Sequence, residues 1–150
     1  IYSGTMSAAV EGALEGIPSV GFSLLDHAYD ANFAPGRPFI KEIAEEVLEK
    51  GLPKGVCLNV NIPKITDIKG VKVCRQAQAN WEEEFDERID PQGKKYYWLT
   101  GTFKNYDGGT DTDEWALANG FISVVPVQYD VTAHHAISSL NDFDFHVEKK

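Results

Sequence analysis

The sequence lacks long apolar runs, and its charges are mostly of one sign. Its 150 residues include 23 aspartates and glutamates but 14 lysines and arginines, which gives a formal net charge of −9. Nucleic-acid backbones and anionic membrane surfaces repel such a chain, so we expect neither a nucleic-acid polymer nor a membrane as partner. No apolar run approaches the roughly 20 residues that cross a bilayer, and no basic segment precedes an apolar one in the first residues. We therefore expect the protein to be cytoplasmic.

Cysteine is scarce as well, with two residues in the chain. Cys57 and Cys74 each lie within an apolar segment, and no second pair accompanies them. This pattern predicts buried free thiols, with a disulfide or a metal role as the alternative.

Length and composition suit one domain. The sequence has no internal repeat and no low-complexity linker, and 43% of its residues are hydrophobic, which suffices for a core. Residues 1–150 are therefore interpreted as a single domain.

Two segments carry apolar residues at helical spacing. The first begins after Ser3-Gly4-Thr5 and is stopped by Gly16 and Pro18. Its predicted apolar face consists of Met6, Ala9, Val10, Ala13 and Leu14. The second is ended by Gly51 and Pro53, and glutamates fill its other side. Its predicted apolar face consists of Phe39, Ile40, Ile43, Ala44, Val47 and Leu48.

Short apolar runs on either side of the second helix predict strands. One contains Val20 and Phe22, and the other is "GVCLNVNIP", which alternates until Pro63 ends the pairing. Strand, helix and strand from Ser19 to Ile62 form a βαβ unit, which places the two strands parallel to each other.

The middle third predicts an antiparallel hairpin arm. A strand is expected at Val71–Arg75, and Asp90-Pro91-Gln92-Gly93 fits a type I turn before an aromatic strand at Tyr96–Leu99. The acidic run at 82–87 is interpreted as a solvated edge, with a cation site as the alternative. We expect a partner surface to cover the large rings of the arm. These rings are Trp81, Phe85, Tyr96, Tyr97 and Trp98.

The last third predicts a helix, a strand and a tail. Asp111 or Thr112 caps a short helix that runs through Ala118, and "FISVVPVQYD" is typical of a strand. Pro126 cannot donate to a ladder, so this strand is expected to be an edge strand or to leave the sheet there. A short helix is expected at 132–140.

Several segments together resemble one family. In chain order they are "YSGTMSAAVEGALEGIPSVGFSL", "LNVNIP", "DPQGKKYYWL", "TDEWALANGFISVVPVQ" and "DVTAHHA". This succession resembles the SurE family of metal-dependent 5′-nucleotidases. The resemblance implies a Rossmann-like three-layer α/β sandwich with a projecting β-hairpin and a C-terminal tail that reach other subunits of a dimer or tetramer.

The same resemblance implies hydrolysis of nucleoside 5′-monophosphates with Mg²⁺ or Mn²⁺. Members of the family hold the metal with an Asn-Asp-Asp motif, which this sequence does not contain. We therefore interpret the chain as the C-terminal portion of a longer protein, with its catalytic residues expected upstream of Ile1 and no metal ligand within it. The alternative is a non-catalytic oligomerisation or nucleotide-binding module.

The triplet Ser3, Gly4 and Thr5 is the candidate phosphate site. At a helix N-terminus it offers hydroxyls, backbone N–H groups and the positive end of a dipole. Such residues also cap helices for stability, which is the alternative without the family match. The resemblance implies that this segment borders the phosphate and the metal.

Other polar residues receive more modest interpretations. Asp26, His27 and Asp30 are interpreted as a surface loop after a strand, with a role of His27 near the substrate as the alternative. We expect Asn59 and Asn61 to bond backbone groups where the sheet ends. Adjacent helical positions point about 100° apart, so His134 and His135 do not share one metal ion.

A pairing of His134 with Asp130 is expected instead, and it fits the tail motif of the family. We expect this pair to act as the hinge of an oligomer-forming tail.

Overall fold

A four-stranded mixed sheet forms the centre of the fold. The computed structural model describes residues 3–83 and 85–145. Its strands are β1 (Val20–Leu24), β2 (Val56–Ile62), β3 (Val71–Val73), β4 (Ala79–Glu82), β5 (Phe85–Ile89), β6 (Lys95–Leu99), β7 (Thr102–Asn105) and β8 (Ile122–Gln128). Its α-helices are α1 (Gly4–Leu14), α2 (Arg37–Lys50), α3 (Asp113–Ala118) and α4 (Ile137–Leu140), with 3₁₀ turns at Ala34–Gly36 and His134–Ala136.

The strand order in the central sheet is β1-β2-β8-β3. β1 and β2 are parallel, with Phe22 opposite Val60, which confirms the predicted βαβ unit. β8 runs antiparallel to β2, and β3 runs parallel to β8. The C-terminal ends of β1 and β2 therefore share one edge of the sheet with the N-terminal ends of β3 and β8.

Helices cover both faces of the sheet. On one face α2 packs over a buried cluster that includes Val60, Ile62 and Ile122. On the other face Ala9 and Ala13 of α1 pack against Cys57. A third cluster joins Cys74, Ala116 of α3 and Val125 on that same face. The expected three-layer α/β sandwich is thus confirmed, and both cysteines are buried free thiols as predicted.

Two residues of the predicted apolar helix faces are exposed instead. Leu14 is 53% exposed and Leu48 is 81% exposed. Leu14 is the last residue of α1, and Leu48 is turned by about 100° from the buried Val47. The buried stripe of each helix is therefore narrower than the sequence pattern predicts.

Pro126 lies in a strand that has neighbours on both sides, so the prediction of an edge strand is wrong for β8 as a whole. Pro126 itself is opposite Leu58 of β2. The Leu58 N–H donates to the Ser19 carbonyl, on the β1 side of β2. The backbone groups of Leu58 and Pro126 therefore face away from each other. On the other side of β8, β3 pairs with residues up to Val124 only. The missing N–H of Pro126 therefore costs the sheet no hydrogen bond.

The predicted arm is present and consists of two antiparallel pairs, β4 with β7 and β5 with β6. In the turn Gly93 N–H donates to the Asp90 carbonyl at 2.9 Å, as a type I turn requires. All described residues of β5 and β6 are exposed, and Trp81 packs edge-on against Phe103 at 5.7 Å. The rings that we expect a partner to cover are therefore exposed to solvent on the arm.

The acidic run pairs with neighbours on the arm itself. Asp86 lies 2.8 Å from Arg88, and Glu87 lies 2.8 Å from Lys95. Glu84 lies outside the described residues. These contacts agree with a solvated, internally paired edge.

The tail leaves the sheet after β8. Tyr129 packs back on the cluster of α1 and Cys57, so its own chain covers it. The predicted helix at 132–140 is shorter and begins as a 3₁₀ turn at His134. Among the described residues, no helix is long and apolar enough to span a membrane.

Candidate functional site

The N-terminus of α1 points toward the end of the sheet where β1 and β2 end. A Cβ added to Gly21 of β1 would lie 3.2 Å from Thr5 Cγ2, while Gly12 near the end of α1 faces Ser19. The helix therefore runs antiparallel to β1, and its N-terminus points toward the C-terminal end of that strand. In α/β sheets, ligands bind at this edge.

Ser3 caps α1. Its Oγ accepts the Met6 N–H at 3.2 Å, and its carbonyl accepts the N–H of Ser7 at 3.0 Å. The capping interpretation is thus confirmed as one role of the triplet. A cap satisfies one of the four free N–H groups of a helix start, so others remain available to an anion.

Gly4 and Thr5 retain binding groups at this helix start. A Cβ on Gly4 would meet no atom within 4 Å, so an anion can approach the backbone closely there. The Thr5 hydroxyl makes no hydrogen bond to the described part of the chain. Two backbone N–H groups and a hydroxyl are thus available at the positive end of an 11-residue helix.

A cleft of about 250 Å³ opens at the same sheet edge, between the loops that follow β1 and β2. Its polar lining includes Asp26, Asn32 and Lys64. Lys64 Nζ lies 2.9 Å from Asp26 Oδ1, which also accepts the Ala28 N–H. These two contacts together hold the pKa of Asp26 below its ordinary value. His27 and Asp30 are exposed on the loop, in agreement with the surface-loop interpretation.

The donor set at this edge suits an anion and does not fit a divalent cation. Within residues 3–83 and 85–145, no three His, Cys, Asp or Glu side chains are grouped closely enough to hold a metal ion. Mg²⁺ and Mn²⁺ prefer several oxygen ligands, carboxylates above all. N–H groups and neutral hydroxyls at a helix start attract phosphate oxygens instead.

The expected pairing of His134 with Asp130 is present. His134 Nε2 lies 2.9 Å from Asp130 Oδ2, while Asp130 Oδ1 accepts the Thr132 N–H at 2.9 Å. Thr132 and the His134 ring together lower the pKa of Asp130 to about 2. Asp130 precedes the 3₁₀ segment that begins at His134, so the pair spans the turn into that segment.

Asn59 and Asn61 do not make the expected side-chain bonds. Neither side chain has a hydrogen-bond partner within the residues that the structure describes. Both asparagines are half-buried in β2. Their amides are therefore free for another partner.

Sequence analysis missed an arginine at the base of the arm. Arg75 binds Asp107 through two contacts of 2.5 and 3.0 Å and Asp111 through two contacts of 2.9 and 3.0 Å. Asp107 also accepts the N–H groups of Gln78 and Gly109. The Arg75 guanidinium and these N–H groups hold the pKa of Asp107 far below its usual range. This cluster ties both ends of the arm to the loop before α3.

Comparison with known proteins agrees with the fold and with the segment resemblance. The family described as "Survival protein SurE" matches residues 1–83. The 5′-nucleotidase SurE of Flavobacterium psychrophilum is 66% identical over 146 residues, which cover 96% of this chain and 57% of that protein. The 5′-nucleotidase SurE of Phocaeicola vulgatus is 46% identical over 147 residues, 97% of this chain and 57% of that one.

A solved structure shares the fold. The crystal structure of the SurE protein from Aquifex aeolicus aligns with a TM-score of 0.75 and 37% sequence identity, over 93% of this chain and 57% of that one. The chain thus spans little more than half the length of the relatives that it matches.

Proposed function

Since this chain belongs to the survival protein SurE family, we propose that the protein of which it forms part is a 5′-nucleotidase. The reaction would release phosphate from nucleoside 5′-monophosphates. The proposal concerns the whole protein, because the chain covers 57% of the relatives named 5′-nucleotidase. The observation that carries it is the open, anion-attracting start of α1 at the ligand-binding edge of the sheet.

The start of α1 would hold the phosphate group of the substrate. The N–H groups of Gly4 and Thr5 would donate to phosphate oxygens, and the Thr5 hydroxyl would add a third donor. Hydrogen bonds to an ionised acceptor are about twice as strong as neutral ones, and the helix dipole adds to them. Ser3 keeps this geometry fixed by capping the helix.

The family resemblance implies a divalent ion, Mg²⁺ or Mn²⁺, beside this phosphate. The described residues do not fit such an ion by themselves. We therefore propose that its carboxylate ligands belong to sequence upstream of Ile1 in the complete protein. This chain would contribute the phosphate-binding end of the site.

The same protein is proposed to be a homo-oligomer and to be cytoplasmic. Exposed rings on the arm, such as Trp98 at 58% and Phe85 at 65%, support contacts with other copies of the chain. The exposed Phe143 and Phe145 support a second contact through the tail. The two free thiols agree with a reducing compartment.

Phosphate release by the complete, purified protein tests the proposed function. AMP and other nucleoside 5′-monophosphates would be supplied with and without Mg²⁺ or Mn²⁺, and metal-dependent phosphate release is the expected result. A protein that binds AMP or assembles into oligomers without releasing phosphate would support the non-catalytic module instead.

A further inference from the structure

A row of polar side chains crosses the central sheet at its ligand-binding edge. Ser23 of β1 is the register partner of Asn61 in β2, and Asn61 is the register partner of Ser123 in β8. We call Ser23, Asn61 and Ser123 the polar row. Such neighbours on one sheet face are close enough for their side chains to interact.

The polar row lies on the face of the sheet that α1 and α3 cover. Side chains alternate along a strand, so every second residue shares a face. Gly21 of β1 contacts α1, Cys57 of β2 packs under α1, and Val125 of β8 packs with α3. Each of these residues is an even number of positions from the member of the polar row in its own strand.

The polar row lies just in front of the first residues of α1. Thr5 packs over Gly21, and Ser23 is two residues further along β1, about 7 Å at the usual strand rise. The helix extends about 3 Å beyond Thr5 to Ser3, at the usual rise of an α-helix. The start of α1 therefore opens onto the level of the polar row.

Ser123 is an unpartnered polar residue at this place. It is 0% exposed, and its hydroxyl has no hydrogen-bond partner among the described residues. Asn61 and Ser23 are half-buried, and their side chains are also without partners in that part of the chain. Burying an unpaired hydroxyl is unfavourable, so a group that bonds to it in the working protein is expected.

Backbone geometry brings Asn61 and Ser123 within reach of each other. The Leu58 N–H donates to Ser19, on the β1 side of β2. Backbone N–H and C=O groups point to alternate sides along a strand, so those of Asn61, three residues on, point toward β8. Asn61 and Ser123 are therefore a hydrogen-bonded pair of an antiparallel ladder, with Cα atoms about 5.5 Å apart. A serine hydroxyl can donate to an asparagine Oδ1 across this distance.

We propose that the polar row is the floor of the phosphate site, an inference that rests on the proposed function. The Asn61 amide donates an N–H to a phosphate oxygen, opposite the donors at the start of α1. Ser123 acts as a positioning residue, because its hydroxyl donates to Asn61 Oδ1 and turns the amide nitrogen toward the phosphate. Ser23 adds a hydroxyl on the other side of Asn61.

Three variants of the complete protein test this inference. Asn61→Leu removes the amide at similar size, and Ser123→Ala removes the unpartnered hydroxyl. Ser19→Ala is the matched control, because its hydroxyl bonds the Ile17 carbonyl at the opposite end of β1. For each variant the Tm is measured with and without inorganic phosphate, and phosphate is titrated as an inhibitor of AMP hydrolysis.

We expect Asn61→Leu to weaken phosphate binding about 10- to 100-fold and Ser123→Ala about 3- to 10-fold. Without phosphate, Ser123→Ala should leave the Tm nearly unchanged, because the bond from Ser123 to Asn61 Oδ1 forms only as the amide turns toward phosphate. Ser19→Ala should leave phosphate binding unchanged. A purely structural serine would lower the Tm on substitution and leave phosphate binding as it was, which would overturn the inference.

The two proposals fail separately. Phosphate-dependent Tm shifts that respond to Asn61 and Ser123, in a protein without nucleotidase activity, would overturn the proposed function and support the polar row. AMP hydrolysis with unaltered phosphate inhibition in Asn61→Leu and Ser123→Ala would overturn the polar row alone. The absence of any phosphate effect on the unaltered protein would count against the polar row as well.

Discussion

Arg75 and Asp107 face each other through two paired contacts, although 32 residues separate them in the sequence. The guanidinium reaches Asp111 at the same time, so one cation bridges two carboxylates. Arginine suits this arrangement because its planar fork binds carboxylates at two points. Arg75 precedes β4 and Asp107 follows β7, so the pair closes the base of the arm.

The lowered pKa of Asp107 gives the base of the arm a defined pH dependence. A carboxyl whose pKa is lower in the folded state stabilises the fold above its unfolded value of 3.8, and this stability is lost as the pH falls toward the folded pKa. We expect protease cleavage within the arm to be constant above about pH 5 and to increase below pH 4. Limited proteolysis across this pH range measures it, with each cleavage rate divided by the rate at which the same protease cleaves an unfolded substrate at that pH.

Asp107→Asn should increase cleavage of the arm at pH 7 and remove much of this acid dependence. Asp86→Asn is the control, because Asp86 pairs with Arg88 near the end of the arm and not at its base. Equal cleavage of the Asp107→Asn variant and the unaltered protein at pH 7 would show that the pair does not hold the arm.

Thr5→Val tests the phosphate contact directly in the complete protein. The substitution keeps the shape of the side chain at the start of α1 and removes one hydroxyl donor. Catalytic efficiency toward AMP should fall about 10- to 100-fold, the usual effect of losing a hydrogen bond to a charged group. Ser7→Ala is the control, since its hydroxyl bonds the Ser3 carbonyl inside the helix. Unchanged kinetics with a lowered Tm would indicate that Thr5 supports only the helix.

Residues 1–150 produced by themselves should neither hydrolyse AMP nor bind Mn²⁺ tightly. The reason is that the described residues contain no group of three metal-ligating side chains. Circular dichroism would first establish that the fragment is folded, and phosphate release and calorimetric Mn²⁺ titration would follow. Mn²⁺-dependent release of phosphate by the folded fragment would contradict this prediction.

Deletion from Val131 onward should change the assembly of the complete protein. Val131 is 94% exposed, and Phe143 and Phe145 pack against each other at 5.9 Å while remaining exposed. Such residues are expected to be covered by another copy of the chain. Light scattering should therefore show smaller species or aggregates after the deletion. An oligomer of unchanged size and Tm would exclude the tail as an assembly element.

His134→Ala should loosen the exit of the tail, because Asp130 then keeps only its bonds to Thr132. A loose hinge favours exchange of the tail between copies, so the distribution of oligomers should broaden. His135→Ala is the matched control. Light scattering that is identical for both variants would show that the pair is a surface contact without a role in assembly.

The sequence predicts the parts of this fold that depend on local pattern. Helical spacing, alternation and turn residues located α1, α2, β1, β2 and the turn at 90–93. Contacts between distant segments were not predictable in this way, since nothing near Arg75 indicates that its partners are Asp107 and Asp111. The prediction of an edge strand at Pro126 is wrong for β8 as a whole, because a strand can have a neighbour over only part of its length.

The candidate site was predictable only in part, for the same physical reason. The position of Ser3, Gly4 and Thr5 before an apolar stripe indicates a helix start. The polar row depends on the register between β1, β2 and β8, which no local pattern fixes. Local pattern therefore predicts backbone bonding for Asn61 and gives no signal at Ser123.

Pro126 has a further consequence for how molecules of this protein meet. Beyond Val124 no strand formed by the described residues lies on the outer side of β8, and an exposed strand edge of this kind invites pairing with a strand of another molecule. At Pro126 an approaching strand finds no N–H donor and meets the pyrrolidine ring instead. The proline thus leaves one donor fewer on the open flank of β8 for a strand of another molecule to bind.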